Sequence, residues 1–259
     1  MSAKTSLSDI PLLHESCVMA LKYPEAWASF RCSPGFLFAM ENIAPSAYEA
    51  LIRAVPPTDL TPDLFAGDIG NPPKLKLPDG REISPTFLRY AAISRDLGRR
   101  FQMHNANIVE IGCGFGGQCK VLRDHYTAGS IRIPLDTPPM ALVAKKYLDH
   151  FGIGAQVLGT DELDHLPSPR LMQDLNLLCV SNYALSEMAR EAQLGYIQKI
   201  IRHCPRGYVT YNNPSKDFDS MDAEEFFSAL VSLGKKYVQI AGEYVKTDPA
   251  ILKITWGID

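Results

Sequence analysis

The residues with the clearest chemical purpose lie together in Asn107-Ile108-Val109-Glu110-Ile111-Gly112-Cys113-Gly114-Phe115-Gly116-Gly117. A short apolar run breaks into glycines and then into helix-forming sequence. Such a run reads as a buried parallel strand, and the glycines let the following turn approach a ligand without side-chain obstruction. Gly112, Gly114 and Gly117 satisfy G-x-G-x-x-G, which alone is a weak dinucleotide fingerprint. Glu110, two residues before the first glycine, shifts the reading. A dinucleotide loop needs its pyrophosphate at the helix N-terminus, where aligned N–H dipoles favour an anion. An acidic side chain at the strand end suits a cation instead, such as the sulfonium of S-adenosylmethionine.

A second acid follows at the expected distance. Ile131 to Leu135 reads as the next strand and Asp136 ends it, 136 − 110 = 26 residues after Glu110. A carboxylate there can accept from both hydroxyls of a ribose. Its place before Thr137-Pro138 equally suits helix capping, and the two roles can coexist. After a weak third strand, Ala155 to Leu158, Asp161 or Glu162 is positioned to meet an adenine amine or simply to solvate a turn. Leu175 to Val180 is an apolar fourth strand that delivers Asn182, Tyr183, Ser186 and Glu187. Gly207 to Tyr211 is the fifth, ending in Asn212 and Asn213.

The elements that position these residues follow from periodicity and punctuation. Residues 1–100 read as a helical, proline-interrupted extension: a helix pair over Leu12 to Phe30 broken near Pro24, and a short helix from Pro45 to Val55. Thr58 to Pro78 is a loop by composition. Its Gly67-Asp68-Ile69-Gly70-Asn71-Pro72 piece reads as a surface connection or as a lid over the cofactor mouth. Ser84-Pro85 opens a helix to about Arg100, whose Arg89, Arg95, Arg99 and Arg100 read as a solvated basic face before they read as a phosphate site. Residues 101–259 then alternate strand and helix. Helices are expected at Gln118 to Tyr126, after Thr137, from about Ser186 to Cys204, and behind the Asp222–Glu225 capping signal. Tyr237 to Tyr244 and Ile251 to Trp256 have no room for a helix between them, so they must pair antiparallel. A mostly parallel α/β sheet closed by such a hairpin is a Rossmann-like methyltransferase topology, not the dinucleotide one.

The E-x-G-x-G-x-G-G pattern resembles motif I of class I S-adenosylmethionine-dependent methyltransferases. The resemblance widens over Asp68-Ile69-Gly70-Asn71-Pro72, Ser84-Pro85-Thr86-Phe87-Leu88-Arg89-Tyr90, Ser181-Asn182-Tyr183-Ala184-Leu185-Ser186-Glu187 and Arg206-Gly207-Tyr208. In that order, across about residues 65–215, these blocks are similar to the sugar O-methyltransferase family of that class. The family implies S-adenosylmethionine as cofactor and a sugar hydroxyl as acceptor. Cys113 in the glycine loop and Thr137-Pro138-Pro139 after the second-strand acid depart from its pattern without removing a needed backbone contact. On this reading Glu110, Gly112, Gly114, Gly116, Gly117, Asp136, Asp161 and Asn182 bind the cofactor.

Methyl transfer from a sulfonium is an in-line displacement, so the acceptor oxygen must be held on the carbon–sulfur axis and a base must take its proton. Glu187 is the expected base, Tyr183 shapes the donor side and Asn212 holds an acceptor hydroxyl. An acid in a first helical turn is also favoured by the helix dipole alone. Asp217, Asp219 and Asp222 could hold a Mg²⁺ shared with the acceptor, or could be capping and loop residues. Two rivals stay open: a methyltransferase of another small acceptor, a phenol or secondary metabolite, and a nicotinamide-dinucleotide-binding module.

Bulk properties narrow the class. The chain is 46% hydrophobic and 21% charged, as in soluble globular proteins. A net charge of −3 offers no basic excess for nucleic acid. No apolar run approaches the roughly 18–20 residues of a membrane span, and the first residues lack a signal peptide's apolar core, so a cytoplasmic protein is expected. Cys17, Cys32, Cys113, Cys119, Cys179 and Cys204 show no metal spacing and are expected to be reduced.

Overall fold

The computed structural model describes residues 10–126, 132–212, 219–244 and 250–258. The front of the chain holds α1 (Pro11–Lys22), α2 (Pro24–Ala28), α3 (Pro34–Ala39), α4 (Tyr48–Ala54) and α5 (Pro62–Gly67). A ribbon of β1 (Leu75–Lys76) and β2 (Glu82–Ile83) leads into the long helix α6 (Pro85–Arg100). All of these helices except α4 begin on proline, whose fixed φ suits the first helical position and whose missing N–H would have had no intrahelical partner. Ser84 caps α6 as expected, its hydroxyl accepting from Phe87 N at 3.2 Å. Helices α3 and α5 are additions to the sequence reading, and α5 lies within what composition marked as loop.

The second part alternates β3 (Ile108–Ile111), α7 (Gly117–His125), β4 (Arg132–Asp136), α8 (Pro138–His150), β5 (Leu158–Gly159), α9 (Pro169–Asp174), β6 (Leu178–Asn182), α10 (Arg190–Lys199), β7 (Arg206–Tyr211), α11 (Ala223–Ser232), β8 (Gln239–Gly242) and β9 (Leu252–Trp256). Among the described residues they build a seven-stranded sheet in the order β5-β4-β3-β6-β7-β9-β8. Strands β5 through β7 are parallel, and β9 runs antiparallel to both β7 and β8. This is the expected Rossmann-like mixed sheet with a helical N-terminal extension. The order reverses between β3 and β6, and a ligand crevice belongs outside the carboxyl ends of those two strands. Trp256 anchors the hairpin: its buried indole lies across Gly207, where a Cβ would meet the ring at 2.0 Å, and its Nε1 donates to Cys204 O at 3.1 Å.

Several boundaries differ from the reading. The fourth strand starts at Leu178, because Leu175 ends the unforeseen α9, and so Asn182 is its last residue. The helix after it is broken: a 3₁₀ turn at Leu185–Glu187 comes first, and Met188 is extended before α10 begins. The Asp222–Glu225 capping box is formed as expected. Five cysteines are buried, Cys32 is exposed, and all six are free thiols. Among the described residues, no helix is long and apolar enough to cross a membrane.

The Gly67–Pro72 segment is neither a surface connection nor a lid. Asp68 is buried and accepts from Arg31 Nη1 at 2.6 Å, Ser84 N at 2.7 Å and Ser84 Oγ at 2.7 Å. Arg31 also donates from Nε to Glu41 at 2.7 Å and from Nη2 to Ser84 Oγ at 2.8 Å. Its guanidinium lies 5.1 Å from the Phe87 ring centroid and 4.8 Å from that of Phe115, in the glycine loop. The front helices share one apolar core with the second part, Leu13, Cys17 and Phe36 packing in the same cluster as Phe115, Tyr147 and Leu148.

Arg31→Ala should therefore leave Asp68 and Glu41 buried without their cation and lower stability by about 3–5 kcal/mol in urea denaturation. A loss of less than about 1 kcal/mol, the range of an exposed pair, would show that the network does not brace the fold.

Candidate functional site

A cavity of about 410 Å³ opens at the carboxyl ends of β3 and β6, within the size range of small-molecule sites. Its floor is the glycine loop. Gly112 and Cys113 both donate to Leu135 O, at 2.8 and 3.0 Å, which pins the turn to the end of β4. Gly112 sits at φ +73°, and a Cβ there would fall 2.0 Å from Ala184 Cβ, so the β3 and β6 loops pass too closely for any side chain. Gly114 N donates to Asp136 Oδ2 at 2.8 Å, and Thr137 N donates to Asp136 Oδ1 at 2.8 Å.

Two buried acids face this floor. Burial, and after it the neighbouring Asp136 charge, pushes Glu110 up to about 8. Burial pushes Asp136 up to about 6, against the opposing effect of the Thr137 and Gly114 N–H donors. Glu110 is 4% exposed and its carboxyl has no hydrogen-bond or ion-pair partner among the described residues. A cation arriving in the cavity would relieve both penalties.

The opposite wall comes from the ends of β6 and β7. Asn182 Oδ1 accepts from Thr210 Oγ1 at 2.9 Å, and its Nδ2 is buried without a partner among the described residues. Tyr183 adopts φ +69°, a left-handed conformation that a bulky residue holds only under constraint. Its N–H donates to Thr210 O at 2.9 Å and its hydroxyl to Glu243 of β8's far end. Asn212 Nδ2 donates to Glu187 Oε1 at 2.6 Å, and its Oδ1 meets the Ser186 hydroxyl. Burial raises Glu187 above the ordinary carboxylate range, with the Asn212 hydrogen bond and the Arg89 charge pulling the other way.

Of the residues the sequence marked, Glu110, Gly112, Gly114, Asp136, Asn182, Tyr183, Glu187 and Asn212 all line this cavity. Gly116 and Gly117 lie outside the lining, where Gly116 at φ +88° is the N-cap of α7 and Gly117 its first residue. Asp161 is exposed and does not line the cavity, while Glu162 is occupied in accepting from Gly159 N at 2.9 Å. Asn213 and Asp217 lie outside the described residues. Asp219 pairs with Arg190 at 3.1 Å and Asp222 caps α11 by accepting from Glu225 N at 2.8 Å. Among the described residues no cluster of three potential metal ligands occurs.

Three contributors were missed. The stretch from Phe38 to Ala47 roofs the cavity, with Met40 packed over Gly114. Its signal was the apolar Pro34-Gly35-Phe36-Leu37-Phe38-Ala39-Met40 run behind a helix-starting proline. Gln118, 1% exposed, also faces inward. Arg89 does not belong to a solvated face: it enters the cavity and lies 4.7 Å over the Tyr183 ring. The other three arginines of α6 are engaged elsewhere, Arg95 with Asp59, Arg99 with Tyr244 and Arg100 with Asp96.

No protein-family profile matches the chain, and no curated protein matches it. Solved structures that resemble it include PigF with SAH, 18% identical over 65% of this chain and 59% of that chain, at a TM-score of 0.45. Another is human N-acetylserotonin methyltransferase in complex with SAM, 16% identical over 65% of this chain and 52% of that one, at 0.45. The mitomycin 7-O-methyltransferase MmcR is 14% identical over 98% of this chain and 70% of its own, at 0.47. The chain thus spans little more than half of the first two. At these identities and scores the likeness carries neither a residue role nor a substrate.

The raised Glu110 gives a pH signature. Between its ordinary value of 4.5 and about 8 the folded chain holds a proton that the unfolded chain has lost, so stability falls as pH rises through that window. Glu110→Gln should therefore gain thermal stability relative to the wild type between about pH 5 and pH 8. Parallel melting-temperature profiles for the two proteins would contradict the buried, protonated carboxyl.

Proposed function

We propose that the chain is an S-adenosylmethionine-dependent methyltransferase that methylates a hydroxyl of a small acceptor. The observation that carries this reading is the pair of buried acids, Glu110 and Asp136, facing a glycine loop at the switch point of the sheet with no counter-cation among the described residues. A pyrophosphate brought to the same loop would meet both carboxylates, whereas a cationic, phosphate-free ligand relieves them. Asp136 stands at the end of β4, where its remaining lone pairs suit ribose hydroxyls. S-adenosylmethionine, when bound, supplies an electrophilic methyl carbon whose bond to sulfur breaks as the bond to oxygen forms.

The chain's own residues then have three tasks. The roof from Phe38 to Ala47 and the close β3–β6 approach exclude water from the reacting groups. Asn212 orients Glu187 through its 2.6 Å hydrogen bond. Glu187 takes the proton of the acceptor hydroxyl, a role helped by burial that brings its basicity nearer to neutral pH. A sugar hydroxyl as acceptor is supported by the motif blocks of β6 and by the amides of Asn182 and Asn212 at this wall. A phenolic or other secondary-metabolite acceptor is favoured by a different observation, the apolar side chains of Phe38, Met40, Ile43 and Ile251 in the lining.

Calorimetry with S-adenosylmethionine, S-adenosylhomocysteine and NAD tests the reading. Micromolar binding of the first two, at least about tenfold weaker in Asp136→Ala, is expected, and incubation with sugar and phenol panels should show turnover that falls at least about 100-fold in Glu187→Gln with cofactor affinity kept. Tight NAD binding, or none of the three binding, would overturn the cofactor assignment; near-normal turnover in Glu187→Gln would remove it as the base.

A further inference from the structure

Among the described residues that line the cavity, the charged side chains are Arg89, Glu110, Asp136 and Glu187, one guanidinium against three carboxylates. S-adenosylmethionine carries the complementary set: an ammonium and a sulfonium against one carboxylate. The acids give the lining a negative balance that suits the ligand's net positive charge. The ligand's carboxylate needs a donor, and Arg89 is the cation that the lining offers it.

Arg89 has the free valence for this. Its Nε is buried with no partner among the described residues, and its Nη2 makes only a long contact to Met40 O at 3.4 Å. The guanidinium lies 4.7 Å over the Tyr183 ring, and Tyr183 is in turn held by its strained backbone and its hydroxyl bond to Glu243. The guanidinium is therefore oriented without its Nε edge being used. The same lining holds an unused acceptor. Gln118 is 1% exposed, its Nε2 donates to Tyr90 O at 3.2 Å, and its Oε1 has no partner among the described residues. Because Tyr90 follows Arg89 on α6, the same helix turn holds the guanidinium and anchors the amide. A buried donor and a buried acceptor left unpaired in the lining of one cavity cost stability unless a ligand satisfies both.

We infer that Arg89 and Gln118 form the subsite for the amino-acid head of S-adenosylmethionine, Arg89 Nε donating to its carboxylate and Gln118 Oε1 accepting from its ammonium. The inference rests on the cofactor reading above and adds two binding residues to it. It also separates the arginine from acceptor recognition, despite its proximity to Glu187.

The test compares ligands that differ only at the head. S-adenosylhomocysteine and 5′-methylthioadenosine share adenosine and a thioether, but the second lacks the amino acid. In calorimetry Arg89→Gln should weaken S-adenosylhomocysteine by about 10- to 100-fold and change 5′-methylthioadenosine by less than about twofold, with Gln118→Leu acting in the same sense. Arg89→Lys should recover part of the loss. An arm that needs no substitution compares S-adenosylmethionine with its decarboxylated form on the wild-type chain, where removal of the carboxylate should weaken binding at least about tenfold. Equal loss for both thioethers in Arg89→Gln, unchanged S-adenosylhomocysteine affinity, or equal wild-type affinity for the decarboxylated ligand would overturn the subsite while leaving the cofactor assignment standing. Failure of the wild-type chain to bind any adenosyl ligand would instead remove the cofactor reading, and the subsite with it.

Discussion

A guanidinium sealed from water holds the molecule together. Arg31 is 0% exposed, so its charge persists only because acceptors surround it. Those acceptors come from separate parts of the chain: Glu41 after α3, Asp68 after α5 and Ser84 at the cap of α6. Glu41 also accepts from Thr86 Oγ1 at 2.7 Å, which adds the first turn of α6 to the same network. The guanidinium also packs against the neighbouring rings of Phe87 and Phe115. Since Phe115 stands between Gly114 and Gly116, the network that fixes the front helices also fixes the loop that floors the cavity. The roof segment from Phe38 to Ala47 is thereby tied to the floor it covers.

Inside the cavity the same rule operates with the opposite outcome. Arg31 and its acids satisfy one another, whereas Glu110 has no partner among the described residues and Asp136 is met by neutral donors, the N–H groups of Gly114 and Thr137 and the Thr137 hydroxyl. Burial without a counter-charge favours the protonated forms of both, and a cationic ligand reverses that preference. Two buried acids of one chain thus divide by function. Asp68 has its cation built in, whereas Glu110 is held in its protonated form because none is at hand.

Much of this was legible in the sequence where the signal is local. Continuous apolar runs marked the buried strands, the glycine spacing marked the turn after β3, and Ser84, Pro85, Asp222 and Glu225 announced their helix starts. The acids at the ends of β3 and β4 were readable because one βαβ step fixes their separation, and the short gap before β9 forced the antiparallel hairpin. What escaped depends on contacts distant in sequence. Arg31 and Asp68 are 37 residues apart, so no periodicity joins them, and the polar composition around Asp68 resembled a surface loop. Arg89 shares its helix with three arginines that face other partners, and nothing in spacing distinguishes the one that enters the cavity. Asp161 reads as a cofactor ligand by position after a strand, yet β5 is only two residues long and the turn leaves it exposed.

The most direct measurement is a crystal structure of the chain grown with S-adenosylhomocysteine. The expected density places the ribose hydroxyls against Asp136 and the ligand across the glycine loop between β3 and β6, beneath the Met40 roof. Density for the ligand at another place on the molecule, with the Glu110–Asp136 cavity filled only by water, would contradict the assignment of this cavity as the cofactor site.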